Sequence, residues 1–192
     1  VDGDQIIAIL ATGLNSRGEL AKSTVVATVM SNLGFFKAME KAGIKVEVTG
    51  VGDRYVLEKM LEADLTLGGE QSGHVIYRKF ANTGDGILTA LTLLQEVKRS
   101  GKSLKDAAAI MQKFPQVLIN VKDVAKDKLP ASKVIAEAVA KSEAELAGAG
   151  RVLLRASGTE ALVRVMVEAS TDTLASGVAT HLAEVVKREL GS

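Results

Sequence analysis

The run Thr24-Val25-Val26-Ala27-Thr28-Val29-Met30 constrains the fold more than any other stretch, because it is β-branched, mostly apolar and free of polar alternation. A strand of that kind is covered on both faces, as in a sheet with helices packed above and below it. Asn32 then caps a helical stretch that ends at Gly43, so the first readable unit is a βα pair. Residues 45–49 alternate polar and apolar side chains, and Gly50 and Gly52 punctuate. Residues 54–63 return to helical spacing through Tyr55, Val56, Met60 and Leu61, which makes a second unit. Leu65-Thr66-Leu67 reads as a short strand running into Gly68-Gly69-Glu70-Gln71-Ser72-Gly73-His74, a seven-residue polar insert expected on a turn before Val75-Ile76-Tyr77 resumes the extended pattern.

After Thr83-Gly84-Asp85-Gly86, the apolar residues Ile87, Leu88, Leu91, Leu94 and Val97 trace one face of a helix that Gly101 closes. Ser103 with Asp106 is a capping-box pattern opening a further helix, expected to run to about Phe114, where Pro115 stops it. Beyond Pro115 the pattern becomes that of a smaller unit. It has a strand near residues 116–121, a helix from about 131 to 146, two strands around residues 155–160, and a last helix from about 172 to 190. The expected class is α/β: a mixed α/β layered domain over residues 1–114, then a small α+β domain over 115–192, joined by a hinge near Pro115.

Charge narrows the partners. Lys and Arg number 24 against 23 Asp and Glu, so the chain lacks the basic field that drives binding to a phosphate backbone, and nucleic acid is not expected as a partner. Without Cys there is no disulfide framework and no thiolate metal site. No apolar run approaches the roughly 20 residues that span a bilayer, and the first residues lack a positive leader, so no membrane partner is expected and the cytoplasm is the default compartment. The first residue is Val rather than Met, which suggests a piece of a longer chain.

Two segments concentrate chemistry. Arg155-Ala156-Ser157-Gly158-Thr159-Glu160, between apolar strands, has the makings of an anion cradle. An Arg fork makes charge-assisted bonds to phosphate oxygens, two hydroxyls add neutral donors, and Gly lets backbone N–H groups approach an oxyanion. An ordinary hairpin loop has the same composition, and spacing alone leaves both readings open. Gly69-Glu70-Gln71-Ser72-Gly73-His74 sets a carboxylate, a hydroxyl and an imidazole within five residues. Glu70 and Ser72 suit sugar hydroxyls, and His74 suits proton transfer near neutral pH, although composition alone favours a surface turn for it. His181, in the last helix, reads as structural.

Together the two segments resemble a family. GEQSGH is similar to the sugar-binding loop of the α-D-phosphohexomutases, and RASGTE to their C-terminal phosphate-binding loop, in the family's order. Val51-Gly52-Asp53-Arg54-Tyr55-Val56-Leu57-Glu58-Lys59-Met60 and Thr83-Gly84-Asp85-Gly86 resemble its phosphoglucosamine mutase branch, which interconverts glucosamine 6-phosphate and glucosamine 1-phosphate in the supply of peptidoglycan precursors. The resemblance implies four domains around a cleft, of which this chain holds the third and fourth, without the phosphoserine loop or the Asp-Gly-Asp-x-Asp-Arg metal loop. Val1-Asp2-Gly3-Asp4 more nearly resembles the end of the second domain.

It further implies that Glu70 and Ser72 hold the sugar, with His74 a candidate for sugar contact or proton transfer, and that Arg155, Ser157, Gly158 and Thr159 hold the non-reacting phosphate. No other residue is expected to be catalytic and none to bind metal, while Arg54 and Arg164 remain without an assigned role. Mg²⁺ and a hexosamine 1,6-bisphosphate intermediate are implied for the whole enzyme, with the missing first two domains as partners. The chain alone is expected to bind a phosphorylated hexose without turning it over. Ala156 and Ala161 stand where prolines are common, which removes two rigid φ angles but no phosphate donor. Gln71 stands where Met is common in the glucose and mannose enzymes, which favours the amino sugar. The alternatives are a phosphoglucomutase or phosphomannomutase fragment, and a non-catalytic phosphosugar-binding module.

Overall fold

A computed structural model describes residues 1–158 and 160–191, and the chain divides into two compact units, Val1–Lys113 and Phe114–Ser192. In the first, the elements run α1 (Gly3–Ser16), β1 (Thr24–Thr28), α2 (Leu33–Lys41), β2 (Lys45–Thr49), α3 (Asp53–Glu62), β3 (Leu67–Gly69), β4 (Val75–Tyr77), α4 (Gly86–Ser100) and α5 (Leu104–Ala108). The sheet order is β2-β1-β3-β4, with β2, β1 and β3 parallel and β4 antiparallel to β3.

The β-branched run forms β1, buried at every position. Val25 and Ala27 face a core with Ile7, Leu10, Phe35 and Met39 from α1 and α2, whereas Val26 faces a second core with Val56 and Met60 from α3. Each buried Val, Ile, Leu, Phe or Met among them contributes about 1.5–3 kcal/mol. Asn32 caps α2 by accepting from the Gly34 N–H at 3.0 Å. Gly43 takes φ +68 just beyond the end of that helix.

The second unit runs β5 (Gln116–Lys122), a 3₁₀ turn (Lys126–Ala131), α6 (Lys133–Leu146), β6 (Arg151–Ala156), β7 (Leu162–Glu168) and α7 (Asp172–Leu190). Its antiparallel sheet has the order β5-β7-β6. Val163, Val165 and Val167 of β7 pack with Ile135 and Leu146 of α6 and Leu182 and Val186 of α7. On the alternate positions of β7, the wholly buried Glu168 carboxylate meets Arg151 at 2.6 Å. The fold class is the one expected, an α/β layer and an α+β unit.

Several local expectations need correction. The apolar stripe of α4 is not its buried face: Ile87, Leu91 and Leu94 are 61–77% exposed, while Thr89, Thr92 and Glu96 are buried. Those polar side chains bring their own partners, which removes the cost of burying them. The Thr89 and Thr92 hydroxyls donate to carbonyls one turn back at 2.7 and 2.9 Å, and Glu96 holds Arg17 at 2.8 Å and Arg99 at 3.0 Å. The Glu96 carboxylate fills the space that a side chain at Gly13 would need. The helix opened by Ser103 ends at Ala108 instead of near Phe114, because the following residues turn to bring Met111 into the core. Gly68 and Gly69 belong to β3 and Arg155 and Ala156 to β6, so both polar turns are shorter than the sequence pattern indicated.

Residues 2–4 belong to the first unit, with Asp2 capping α1 and Gly3 and Asp4 opening it. The Asp2 side chain accepts from the Gln5 N–H, and the Gln5 side chain accepts from the Asp2 N–H, each at 3.1 Å. Asp4 is buried, and its carboxylate accepts from the Asn32 N–H at 2.7 Å. Among the described residues, no helix is long and apolar enough to cross a membrane.

Candidate functional site

Residues 70–74 connect β3 to β4 and are tied down on all sides. Within the turn, the Gly73 N–H donates to the Glu70 carbonyl at 2.9 Å and the Glu70 N–H to the His74 carbonyl at 3.0 Å, with Gly73 at φ +99. From the start of α1, the Gly3 N–H donates to the Gln71 carbonyl at 3.0 Å, and any Cβ on Gly3 would overlap the turn's backbone. The Glu70 carboxylate accepts from the Gly52 N–H at 3.0 Å, at the start of α3, where the helix dipole favours a negative charge. His74 Nε2 lies 3.5 Å from Asp53 Oδ2. The imidazole occupies the volume that a side chain at Gly84 would need.

One turn therefore gathers three expected residues in different states. Glu70 is half-buried with one oxygen committed to Gly52, His74 is half-buried against Asp53, and Ser72 is exposed. Among the described residues no hydrogen bond engages the Ser72 hydroxyl. Gly3, Gly52, Asp53 and Gly84 were not assigned to this site from sequence. The Asp2/Gln5 capping pattern signals the start of α1, but nothing in it reveals which turn Gly3 touches. Arg54 is exposed and pairs along α3 with Glu58 at 2.7 Å, a solvated i,i+4 pair.

In the second unit, Arg155 sits near the end of β6 directly opposite Arg164 of β7, and Asn120 of β5 lies opposite Arg164 on its other side. Directly opposed residues share a face of the sheet, and like charges so placed are destabilising unless an anion lies near. The Glu160 carboxylate, 3.8 Å from Arg164, offsets part of that repulsion. Among the described residues no hydrogen bond or ion pair engages the Arg155 guanidinium.

The Ser157 N–H donates to the Leu162 carbonyl at 2.9 Å, which closes the hairpin. Ser157 is 4% exposed, and its hydroxyl oxygen accepts from the Glu160 N–H at 3.3 Å, leaving the hydroxyl hydrogen to donate. Gly158 is exposed, has no positive φ, and a Cβ there would meet no atom within 4 Å. Neither backbone angle nor the chain's own packing thus requires glycine at 158. Close approach by a ligand would. Thr159 lies outside the described residues. No group of three or more His, Cys, Asp or Glu side chains converges among the described residues.

Comparison with known proteins follows this division. Residues 2–114 match the family description phosphoglucomutase/phosphomannomutase, alpha/beta/alpha domain III, and residues 118–185 match phosphoglucomutase/phosphomannomutase, C-terminal domain. The chain is similar to the phosphoglucosamine mutase of Nocardioides sp., with 60% identity over 99% of the chain and 42% of that protein. It is also similar to the phosphoglucosamine mutase of Streptomyces coelicolor, with 57% identity over 100% of the chain and 42% of that protein. The chain thus spans less than half the length of these relatives. Among solved structures, the Aspergillus fumigatus N-acetylphosphoglucosamine mutase in complex with GlcNAc-6P and magnesium aligns with a TM-score of 0.79 at 22% identity, over 97% of this chain and 44% of that one. An N-acetylglucosamine-phosphate mutase in its product complex, of the alpha-D-phosphohexomutase superfamily, aligns with a TM-score of 0.81 at 23% identity, over the same shares of the two chains. Both structural likenesses bear on the fold alone. With both units matched in order and nearly the whole chain covered, the protein belongs to the phosphoglucomutase/phosphomannomutase family.

Proposed function

We propose that this chain is the substrate-gripping part of a phosphoglucosamine mutase, which interconverts glucosamine 6-phosphate and glucosamine 1-phosphate. The observation that carries the phosphate half of the reading is the opposed pair Arg155 and Arg164 beside Ser157 and the open space at Gly158. Two opposed cations, only one of them facing a carboxylate, with an adjacent hydroxyl and backbone N–H suit a dianionic phosphate. The relatives' names support the amino sugar.

In this reading the phosphate that does not react is gripped by Arg155, Ser157, Gly158 and Thr159, with Arg164 added on the strength of its register. Glu70 accepts from a sugar hydroxyl through the oxygen not held by Gly52, Ser72 gives and accepts through its free hydroxyl, and His74 contacts the sugar or moves a proton. Mg²⁺, when bound in the whole enzyme, neutralises charge on the phosphoryl group in transfer, and hexosamine 1,6-bisphosphate is the species that turns over between the two half-reactions. The chain's residues fix the far end of the substrate, so their binding energy raises the rate only when the transferring parts are present to use it. The site of action in this reading is the cytoplasm.

Two measurements test it. Calorimetry on the purified chain is expected to give tighter binding of glucosamine 6-phosphate than of inorganic phosphate or glucose 6-phosphate. Equal affinity for all three would reduce the chain to an anion binder and sink the sugar assignment. Incubation with glucosamine 1-phosphate, Mg²⁺ and a trace of bisphosphate is expected to give no turnover, and turnover would show that the chain contains its own phosphoryl donor.

A further inference from the structure

The 3₁₀ turn Lys126–Ala131 contributes one side chain to the hairpin between β6 and β7. The Lys126 Nζ donates to the Ser157 carbonyl at 2.6 Å and stands 3.5 Å from the Gly158 carbonyl. The lysine is itself anchored from the far end of the chain. The Ala125 N–H donates to the Leu190 carbonyl at 2.8 Å, Val124 bridges to Gly191, and the Lys187 Nζ donates to the Lys122 carbonyl at 3.1 Å. The end of the last helix thus holds the backbone that leads into Lys126.

The Ser157 carbonyl and the Gly158 N–H belong to one peptide unit, and among the described residues every peptide is trans. In a planar trans peptide the C=O and N–H point in opposite directions. Fixing the carbonyl on Lys126 therefore aims the Gly158 N–H away from Lys126, on a residue that is itself exposed. Bonding the carbonyl to a cation also polarises the peptide unit and makes its N–H a better donor. The other backbone group of Ser157 is committed to Leu162, so the loop has little freedom to rotate this peptide by itself.

We propose that Lys126 is a positioning residue of the phosphate-binding loop: by holding the Ser157 carbonyl it aims the Gly158 N–H at the bound phosphate. The inference rests on the reading of residues 155–159 as a phosphate site. Lys126 does not touch the phosphate; it acts through the peptide.

The test compares K126M, K126Q and K126R with R155M, using inorganic phosphate and glucosamine 6-phosphate as probes in calorimetry and the Gly158 amide resonance in ¹H–¹⁵N spectra. K126M is expected to weaken both probes about tenfold, which is about 1.4 kcal/mol. K126R, which can still donate to the carbonyl, should restore most of the affinity. The Gly158 amide proton should move upfield in ligand-free K126M, and its shift on adding phosphate should shrink. If K126M does not fold, K126Q keeps a neutral donor and should show the same changes at smaller size. Wild-type affinity and an unmoved Gly158 resonance in K126M or K126Q, with R155M still impaired, would overturn the role of Lys126 and leave the phosphate site standing. Unchanged binding in R155M would remove the phosphate site itself, and this proposal with it.

Discussion

Replacing Arg155 with Met should separate binding from stability in a way that only a ligand-built site produces. The substitution keeps the length of the side chain and its packing along β6 but removes the charge opposite Arg164. Relief of a directly opposed like-charge pair is worth about 0.2–1 kcal/mol. Glu160, 3.8 Å from Arg164, already offsets part of the repulsion, so the lower half of that range applies. For a domain of this size, about 0.5 kcal/mol raises the melting temperature by roughly 2–4 °C. Binding should move the other way, since a charge-assisted hydrogen bond to phosphate contributes about 2–3 kcal/mol, or roughly 30- to 150-fold in dissociation constant. Thermal melts of the purified chain with and without phosphate, together with calorimetry, read both quantities. R155M is expected to melt slightly above the wild-type chain without phosphate and below it with saturating phosphate. A variant that melts lower without ligand and binds phosphate as tightly as before would mean that Arg155 is a structural residue and that the cradle is misassigned.

Glu70→Ala should weaken glucosamine 6-phosphate by roughly tenfold or more, as expected for a hydrogen bond to a charged group, and leave inorganic phosphate unchanged; equal losses for both in calorimetry would contradict the division of labour between the two units. Gly84→Ala should push the His74 imidazole off Asp53 while the chain stays folded, so the His74 ring resonances should move, and an unaltered imidazole spectrum would show that the slot is not rigid. Burial pulls the Asp2 carboxyl up, but the Lys113 ammonium 2.9 Å away and the Gln5 N–H outweigh it and hold it below the ordinary aspartate range. A lowered folded value contributes stability above the unfolded pKa of about 3.9 and loses it as pH falls through the folded value. The loss of thermal stability below about pH 4 should therefore be shallower in Asp2→Asn than in the wild-type chain, and parallel pH profiles would refute the contribution.

The strands and most helices were legible because their signals are local. The β-branched run at 24–28 became β1, and Asn32 became a cap, since each depends on neighbours a few residues away. The buried face of α4 was not legible, because Glu96 becomes acceptable in the interior only once Arg17, just beyond the end of α1 and far away in sequence, is brought to it, while Thr89 and Thr92 satisfy their hydroxyls on carbonyls of their own helix. Helix α1 is not legible in the sequence for a different reason: Ile7, Ala8, Ile9, Leu10 and Ala11 are all buried, so no polar face breaks the run and no helical stripe stands out. At the candidate site, the residues carrying chemistry announce themselves by type. The residues that hold them do not: Gly3, Gly52 and Gly84 act through absent side chains and N–H groups, which composition cannot assign to a turn many residues away.

The tethering of residues 70–74 by Gly3, Gly52, Asp53 and Gly84 bears on any attempt to exchange this loop between proteins. A graft of the six residues from Gly69 through His74 into a distant scaffold would carry the chemistry and leave its mounting behind. The recipient would need glycines at three remote positions and an acid at a fourth, or the transplanted carboxylate and imidazole would settle elsewhere. Successful swaps should therefore be confined to donors and recipients that already share those four positions, which makes them, rather than the turn, the unit to inspect before designing one.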